Sequence, residues 1–184
     1  MDKDEPNLIL DTQGEGEIKE SKEMLDFMSG VNDYKSIKTY EDACDALCEK
    51  VDEVALTNAG VPNYIIALMK LELICKALWG GNFKEVNKYT AYYFPLFRFF
   101  TKEDVKYMNN EEMCAILPVH VGYNRALVSW GYSGVDFHFA RLNAYSGFRL
   151  CLDTYEKAKY FGRQFLDLWS EYFAYDFIIK RILI

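Results

Sequence analysis

The spacing of apolar residues changes along this chain, and the change limits the folds that the chain can adopt. To about residue 80 the apolar side chains recur at steps of three and four, whereas from about residue 125 they alternate. The first pattern is typical of amphipathic helices and the second of strands with one buried face. After residue 154 the helical spacing returns. The sequence therefore predicts an α+β fold: N-terminal helices, a small antiparallel β-meander at about residues 125–152, and a long C-terminal helix.

The predicted meander has a register that its own side chains support. With a turn at residues 133–134, Trp130 faces Phe137 and Ser129 faces His138 across a hairpin. Such cross-strand pairs stabilise antiparallel sheets, and a slip of one residue would move every apolar side chain to the opposite face. A second turn, in "NAYSG", leads to a third alternating strand, "FRLCL". One face of this meander is predicted to be apolar and the other mixed.

Local signals predict where the helices begin and end. The first helix is expected in "ESKEMLDFM", and the second after Thr39, whose side chain forms a capping box with Asp42 in place of the usual Glu. Pro62 opens the third helix at a tolerated position, and the two glycines at 80–81 end it. Thr154 caps the last helix. The third helix is apolar around most of its circumference, so we expect it to be largely buried.

Two further features carry information about packing. The stretch "AYYFPLFRFF" is aromatic and is interrupted by Pro95, so it is predicted to be an edge strand or an irregular segment, and Thr101 is placed to cap a short helix after it. Gly162 lies beside the apolar stripe of the last helix. Because a glycine inside a helix costs about 1 kcal/mol relative to alanine, we expect close packing at this position.

The charges are distributed unevenly. The net charge of −7 arises mostly in residues 1–26, which hold nine acids and three bases, whereas the remainder of the chain has a net charge of −1. We predict a flexible acidic arm at residues 1–20, followed by a single α+β domain at residues 21–184. A nearly neutral domain offers no broad electrostatic attraction for nucleic acid, so nucleic-acid binding is not expected.

The cysteines predict a reducing compartment, and the longest apolar stretch predicts a core helix and not a membrane span. The chain has five cysteines, an odd number, and no secretory signal pattern precedes them, so free thiols in a reducing compartment are expected. The stretch "NYIIALMKLELICKALW" is interrupted by Lys70, Glu72 and Lys76, which predicts a core helix and no membrane partner. Cys44 and Cys48 share a helix face, but no histidine stands at a ligand-pair spacing, so no metal and no cofactor are predicted.

Four polar side chains form the candidate ligand-binding site. Asp136, His138 and Ser129 fall on the mixed face of the predicted meander, and Arg149 joins them if the third strand pairs with the second. A carboxylate, an imidazole, a hydroxyl and a guanidinium suit acid–base chemistry or anion binding, and the same set is equally ordinary on a solvated sheet face. "GYSG" is not a nucleophile elbow, because Val135 stands where that motif needs its second glycine. We assign no catalytic residue.

The C-terminal region supplies a candidate interaction surface. The last helix carries Lys157 and Arg163, and the tail "FIIKRILI" contributes Phe177, Ile178 and Ile182. So apolar a terminus is expected either to return to the core or to dock on another subunit. Acidic residues share the helix, so its charges are interpreted as a solvated mixed face rather than a nucleic-acid contact.

Two segments resemble one known family. "TYEDACDAL" (residues 39–47) and "SGFRLCLDTYEKAKYFGRQFLDLWSEYF" (residues 146–173) are similar to the "FEDAC…L" and "GSRLCFKSRELAEYAGKQFLDLY" motifs of a family of small uncharacterised proteins of gut Bacteroidota, their phages and other mobile elements. The matching positions are Glu41, Asp42, Ala43, Cys44, Leu47, Gly147, Arg149, Leu150, Cys151, Glu156, Ala158, Tyr160, Gly162, Gln164, Phe165 and Leu168.

The sequence departs from the family pattern at several of these positions. Phe148 replaces a small residue, Arg163 replaces a lysine, and residues 152–153 (Leu-Asp) replace a Phe-Lys pair, which removes a basic group that an anion site could use. The resemblance implies a context, that of a phage or prophage, and no mechanism. It also implies a location in the cytoplasm of a bacterial host or in a phage virion.

Two classes of function are consistent with these features. The leading hypothesis is a non-enzymatic binding or assembly protein encoded by a phage or mobile element, either a virion or assembly component or a host-interaction factor, that works as a homo-oligomer or with a protein partner. The alternative is a small-ligand or nucleotide-binding protein, a sequestering protein or a weak enzyme, that uses the mixed face of the meander.

Overall fold

The computed structural model describes residues 33–83, 90–119, 127–139 and 148–173. The predicted acidic arm, the first helix in "ESKEMLDFM", the "NAYSG" turn and the apolar tail lie outside these residues and stay predictions. All five cysteines lie inside them, and each is a free thiol, as predicted.

Helices and a small antiparallel sheet follow one another along the described chain, which confirms the α+β prediction. The seven helices of these ranges are α1 (Tyr40–Leu47), α2 (Glu53–Asn58), α3 (Asn63–Leu78), α4 (Lys102–Lys106), α5 (Asn110–Met113), α6 (Tyr155–Gln164) and α7 (Leu166–Tyr172). The three strands are β1 (Ala91–Thr101), β2 (Ile116–Pro118) and β3 (Leu127–Phe139). Short 3-10 turns, Tyr34–Ser36 and Phe148–Leu150, precede α1 and α6.

The helices begin where their capping residues stand. Thr39 Oγ1 accepts the N–H of Asp42 at 3.1 Å, and the Asp42 carboxylate accepts the N–H of Thr39 at 2.8 Å, which confirms the predicted capping box of α1. Thr101 and Thr154 likewise cap α4 and α6 through their hydroxyl oxygens. These side chains satisfy N–H groups that the first turn of a helix leaves without partners.

The central helix of the core is α3. It begins after Pro62 and ends at Leu78, and Gly80 and Gly81 follow with φ angles of 87° and 96°, a left-handed conformation that other residues adopt only with strain. It packs against α1 and against α7, and its buried residues span much of its circumference. The predicted boundaries and burial of this helix are confirmed. No described helix is both long and apolar enough to cross a membrane.

The middle strand of the sheet is β3, in the order β1-β3-β2. It runs through Ser133 and Gly134 without turning, so the predicted hairpin is wrong. β1 pairs with it antiparallel, and a bulge places Ser133 between the pairs Leu96–Gly134 and Phe97–Tyr132. The alternation correctly indicated a strand, but both halves of that strand pair with the long aromatic β1 and not with each other.

The predicted third strand, "FRLCL", makes a single backbone bridge. Phe148–Leu150 is a 3-10 turn, and within the segment Leu152 alone pairs, exchanging two hydrogen bonds of 2.8 Å with Tyr93 on the outer edge of β1. The predicted meander is therefore corrected. Residues 127–139 form one strand instead of the two strands of a hairpin, and the long strand that pairs with it is β1 instead of "FRLCL".

β1 lies at the edge of this sheet, as its proline predicts. Tyr93 turns its N–H and C=O groups outward to Leu152, and backbone groups two residues apart on a strand have the same orientation. The missing N–H of Pro95 therefore faces the outer edge, and the ladder between β1 and β3 loses no hydrogen bond there.

The predicted long C-terminal helix is in fact two helices. α6 ends at Gln164 and α7 begins at Leu166, because Phe165 leaves the helical conformation with φ −106° and ψ 32°. The ring of Phe165 is buried, with its centroid 6.0 Å from that of Phe161. The apolar stripe thus continues from α6 into α7. The spacing of its residues in the sequence does not reveal that the helix breaks at Phe165.

Gly162 brings α6 close to the sheet. A Cβ atom at this position would lie 2.5 Å from Cβ of Pro95 and 2.7 Å from Cδ2 of Tyr132. Both distances are far below van der Waals contact, so the predicted close packing at Gly162 is confirmed.

Candidate functional site

The four residues of the predicted ligand site do not come together. Ser129 and His138 lie on one strand, nine residues apart, which is about 30 Å at the usual rise of about 3.3 Å per residue. Their separation has a simple cause, since the site required the hairpin that β3 does not make. Asp136 is exposed, and its carboxylate accepts the N–H of Phe137 at 2.8 Å.

His138 is a core residue. It is 6% exposed, the centroid of its ring lies 5.2 Å from that of Phe94, and its Nε2 lies 3.9 Å from Sγ of Cys151. Burial lowers the pKa of His138, although Asp136 raises it in part, and burial raises the pKa of Cys151 to about 12. At neutral pH this pair is an uncharged imidazole beside an uncharged thiol, unlike the activated thiolates of nucleophilic cysteines.

Arg149 stands apart from the other three residues, in the 3-10 turn before α6. Its guanidinium forms an ion pair with Glu72 of α3, and 76% of its side chain remains exposed. It borders an open cavity that α2 and α3 also line. Arg149 thus lies beside a cavity large enough for a ligand.

This cavity, of about 970 Å³, lies between α2, α3 and the loop that precedes α2, and we name it the α2–α3 groove. Its apolar lining consists of Val51, Ala55, Leu56, Met69, Leu73 and Phe83. Its charged lining consists of Glu49, Lys50, Asp52, Glu72, Lys76 and Arg149. The groove therefore offers apolar contacts together with charges of both signs.

One wall of the groove follows from the sequence of α3. Met69, Glu72, Leu73 and Lys76 are spaced i, i+3, i+4 and i+7, so they share one face of the helix. The other wall includes α2, a helix of six residues that was not predicted from the sequence. Asp52, whose carboxylate accepts a first-turn N–H at 2.9 Å, is the N-cap signal that could have located it.

Ion pairs hold charged side chains along the groove. Glu72 pairs with Arg149, and Lys76 pairs with Glu49. Both pairs are accessible to solvent, and exposed pairs contribute about 0–1 kcal/mol. An incoming charged group can therefore replace either partner at little cost. Lys50 has no ion pair with any residue that the structure describes.

The predicted interaction residues that fall in the described ranges make contacts within the chain. Lys157 Nζ lies 3.0 Å from Oδ1 of Asp153, one turn earlier. Arg163 donates to the backbone carbonyl of Glu111, and its guanidinium lies 3.4 Å from that carboxylate, which ties α6 to α5. Phe177, Ile178 and Ile182 lie outside the described residues.

Within the described ranges, no three His, Cys, Asp or Glu side chains converge closely enough to hold a metal ion. Cys44 is half-buried, and Cys48 is exposed at the end of α1 with a left-handed φ of 52°. Neither thiol has the further ligands in these ranges that a metal site would need.

Comparisons with known proteins do not place the chain in a family. No protein-family model matches it, and no curated protein and no solved structure matches it. The resemblance carried by the two sequence motifs therefore stays a proposal, and the functional argument depends on the geometry of the molecule.

Proposed function

We propose that this chain is a binding or assembly protein encoded by a phage or mobile element of gut Bacteroidota, and that it contacts protein through the α2–α3 groove. The observation that carries the proposal is the groove itself. Apolar side chains that a protein normally buries line a concave surface that is open to solvent. Apolar surface of this kind, rimmed by polar groups, marks interaction sites.

The composition and the openness of the groove favour a protein segment over a small molecule. The groove lining is half apolar and half charged, and protein–protein interfaces likewise combine apolar and polar surface. Small-molecule sites bury most of the surface of their ligand, whereas this cavity is open. A partner that leaves one side in solvent, such as a helix or an extended segment, fits it better.

The state of the Cys151–His138 pair supports a non-enzymatic function. A nucleophilic thiol needs a depressed pKa and access to its substrate. Cys151 is fully buried and its pKa is raised to about 12, and His138 is buried beside it. We therefore assign both residues to the core rather than to chemistry.

Light scattering at increasing concentration of the full chain tests this function. We expect a mass above that of the monomer to develop between about 1 and 200 µM, and Met69→Glu to weaken association at least about tenfold, because it places a charge in the apolar lining. Tyr107→Glu is the matched control, since Tyr107 is 74% exposed and lies outside the groove. A strict monomer at every concentration contradicts self-assembly, and equal effects of the two variants contradict the groove.

Arg149 favours a second candidate function, the binding of a small anionic ligand or nucleotide. Its exposed guanidinium stands beside apolar lining, which suits a ligand with an anionic group and an apolar body. The separation of Ser129 from His138 removes the predicted meander face as the location. In a calorimetric titration with ATP, Arg149→Ala should weaken binding at least about tenfold, and the absence of binding by the wild type would exclude this function for ATP.

A further inference from the structure

The outer edge of β1 offers a second contact surface, and no residue of β1 lines the α2–α3 groove. We propose that this edge binds residues 177–183 of the same chain, from the apolar tail, as a fourth strand of the sheet. The surface goes beyond the proposed function, because it is formed by backbone groups of the sheet and does not involve the groove.

Both ends of the outer edge of β1 are occupied. Near its start, Leu152 exchanges two backbone hydrogen bonds of 2.8 Å with Tyr93. At its end, the carboxylate of Asp104 accepts the N–H of Thr101 at 2.7 Å. The two contacts lie eight residues apart on the strand, so they fix which residues of β1 direct their backbone groups outward.

The middle of this edge carries backbone groups without partners. Alternate residues of a strand face the same edge, so Phe97 and Phe99 face outward as well. Their N–H and C=O groups make no hydrogen bond to any residue of the ranges that the structure describes. Pro95 offers only its C=O there. An unpaired edge of this kind is a template for another strand.

The side chains at this edge favour a strand that is apolar on both faces. Leu96 and Phe99 lie on opposite faces of β1, and each is more than a third exposed. In an extended conformation the tail segment "FIIKRIL" has apolar side chains on both faces, with Phe177, Ile179 and Leu183 on one and Ile178 and Ile182 on the other. Isoleucine and phenylalanine are also enriched in strands. The segment can therefore cover both exposed side chains, whereas an amphipathic strand would cover one.

The chain leaves α7 beside β1. Phe173 directly follows α7, and its ring lies 5.4 Å from the ring of Phe97 and 5.9 Å from that of Trp130, between centroids. The four residues from 174 to 177 span at most about 14 Å, and a neighbouring strand would lie about 5 Å from β1. The tail of the same copy can therefore reach the edge.

The short connection also favours the same copy over a second one. A segment on a short linker has an effective concentration in the millimolar range, whereas the tail of a second copy is present only at the concentration of the protein. Docking within one copy would also cover the edge in the monomer, which removes a template for pairing with other chains.

Amide exchange of the full chain, measured residue by residue by NMR, tests the proposal. We expect the N–H groups of Phe97 and Phe99 to exchange at least about a hundredfold more slowly than in an unstructured chain. Adjacent N–H groups of a strand point to opposite edges, so either Ile178→Pro or Ile179→Pro removes a donor to β1. In at least one of these variants the two amides should exchange at least about tenfold faster. Ile184→Pro, beyond the paired segment, is the matched control and should leave their exchange unchanged.

Arg98 and Phe100 supply an internal reference, because their N–H groups face β3 and should exchange slowly in every variant. Unprotected amides at Phe97 and Phe99 in the wild type would overturn the proposal, as would protection that both prolines leave intact. In a mixed sample of chains with two different isotope labels, NMR contacts between the tail and β1 within one label support docking on the same copy. Contacts between the two labels would show that a second copy supplies the strand, which contradicts the proposal.

Discussion

Two glycine residues allow elements of this fold to approach each other closely. A Cβ on Gly162 of α6 would collide with side chains of β1 and β3, and a Cβ on Gly131 of β3 would collide with the backbone carbonyl of Ala115. Gly134, also on β3, has open space instead. Two of these three glycines are therefore required by packing and the third is not.

We expect Gly162→Ala to lower the free energy of unfolding by about 1–3 kcal/mol, the usual cost of overpacking. This change in the free energy of unfolding is opposite in sign to the one expected from helix propensity alone, which favours alanine over glycine by about 1 kcal/mol. Gly134→Ala is the control, because its Cβ would meet no atom within 4 Å. Urea denaturation measures both variants, and a Gly162→Ala protein as stable as the wild type would contradict the close packing.

His138 makes stability depend on pH. Burial lowers its pKa in the folded state below the value of 6.5 expected for an unfolded chain. Between pH 6.5 and that lower pKa the unfolded chain binds a proton that the folded protein does not, so stability decreases as the pH falls through this window.

In His138→Leu this part of the pH dependence should be absent. The measurement is the urea midpoint at about pH 7.5 and about pH 5.5 for the variant and the wild type. Glu171, whose pKa is raised by burial, acts in the opposite sense, but it is present in both proteins and cancels in the comparison. An equal loss of stability in the two proteins would show that His138 is not its source.

At the scale of elements, short helices depend on their caps. α1, α4 and α5 have eight, five and four residues, and each begins with a capping box. Isolated helices of these lengths are not stable in water. Their ends are therefore fixed by local hydrogen bonds, and their existence depends on packing against the rest of the molecule.

We expect Thr39→Ala to lower the free energy of unfolding by about 1 kcal/mol, because the N–H of Asp42 loses its acceptor. Thr39→Ser keeps a hydroxyl oxygen in the same place and should retain most of the stability. Urea denaturation distinguishes the two. If serine is as damaging as alanine, the cap is not the source of the loss.

At the scale of the whole molecule, α7 joins the helices to the sheet. It packs against α3, and its Trp169 ring lies 4.9 Å from the ring of Phe97 on β1, between centroids. The same Phe97 ring stacks on Trp130 of β3 at 5.1 Å. One aromatic cluster therefore connects three elements that are distant in sequence.

Such a connection predicts cooperative unfolding. Trp79 follows α3, Trp130 lies in β3 and Trp169 lies in α7, so tryptophan fluorescence reports on both the helices and the sheet. We expect the urea transition measured by fluorescence to coincide with the one measured by far-UV circular dichroism. Two separate transitions would contradict the predicted single domain.

The range of an interaction decides whether it can be predicted from the sequence. The cap at Thr39 and the helix end at Gly80 are complete within a few residues, so their signals are local. The pairing of β3 with β1 joins Ala91 to Phe139, and nothing in the spacing around residue 133 reports it. Arg149 likewise meets a partner 77 residues away, which is why its groove was not foreseen.

The order of β1 and β3 in the chain has a consequence for biosynthesis. β3 begins 26 residues after β1 ends, so β1 waits about one to five seconds for its partner at the usual rate of translation. An aromatic strand without a partner is prone to aggregate with neighbouring nascent chains. Pro95 has no N–H to donate, so it interrupts a ladder on the outer edge of β1, whereas the edge that later pairs with β3 keeps all its donors. The proline that removes no hydrogen bond from the β1–β3 ladder therefore limits pairing of nascent chains at the outer edge of β1.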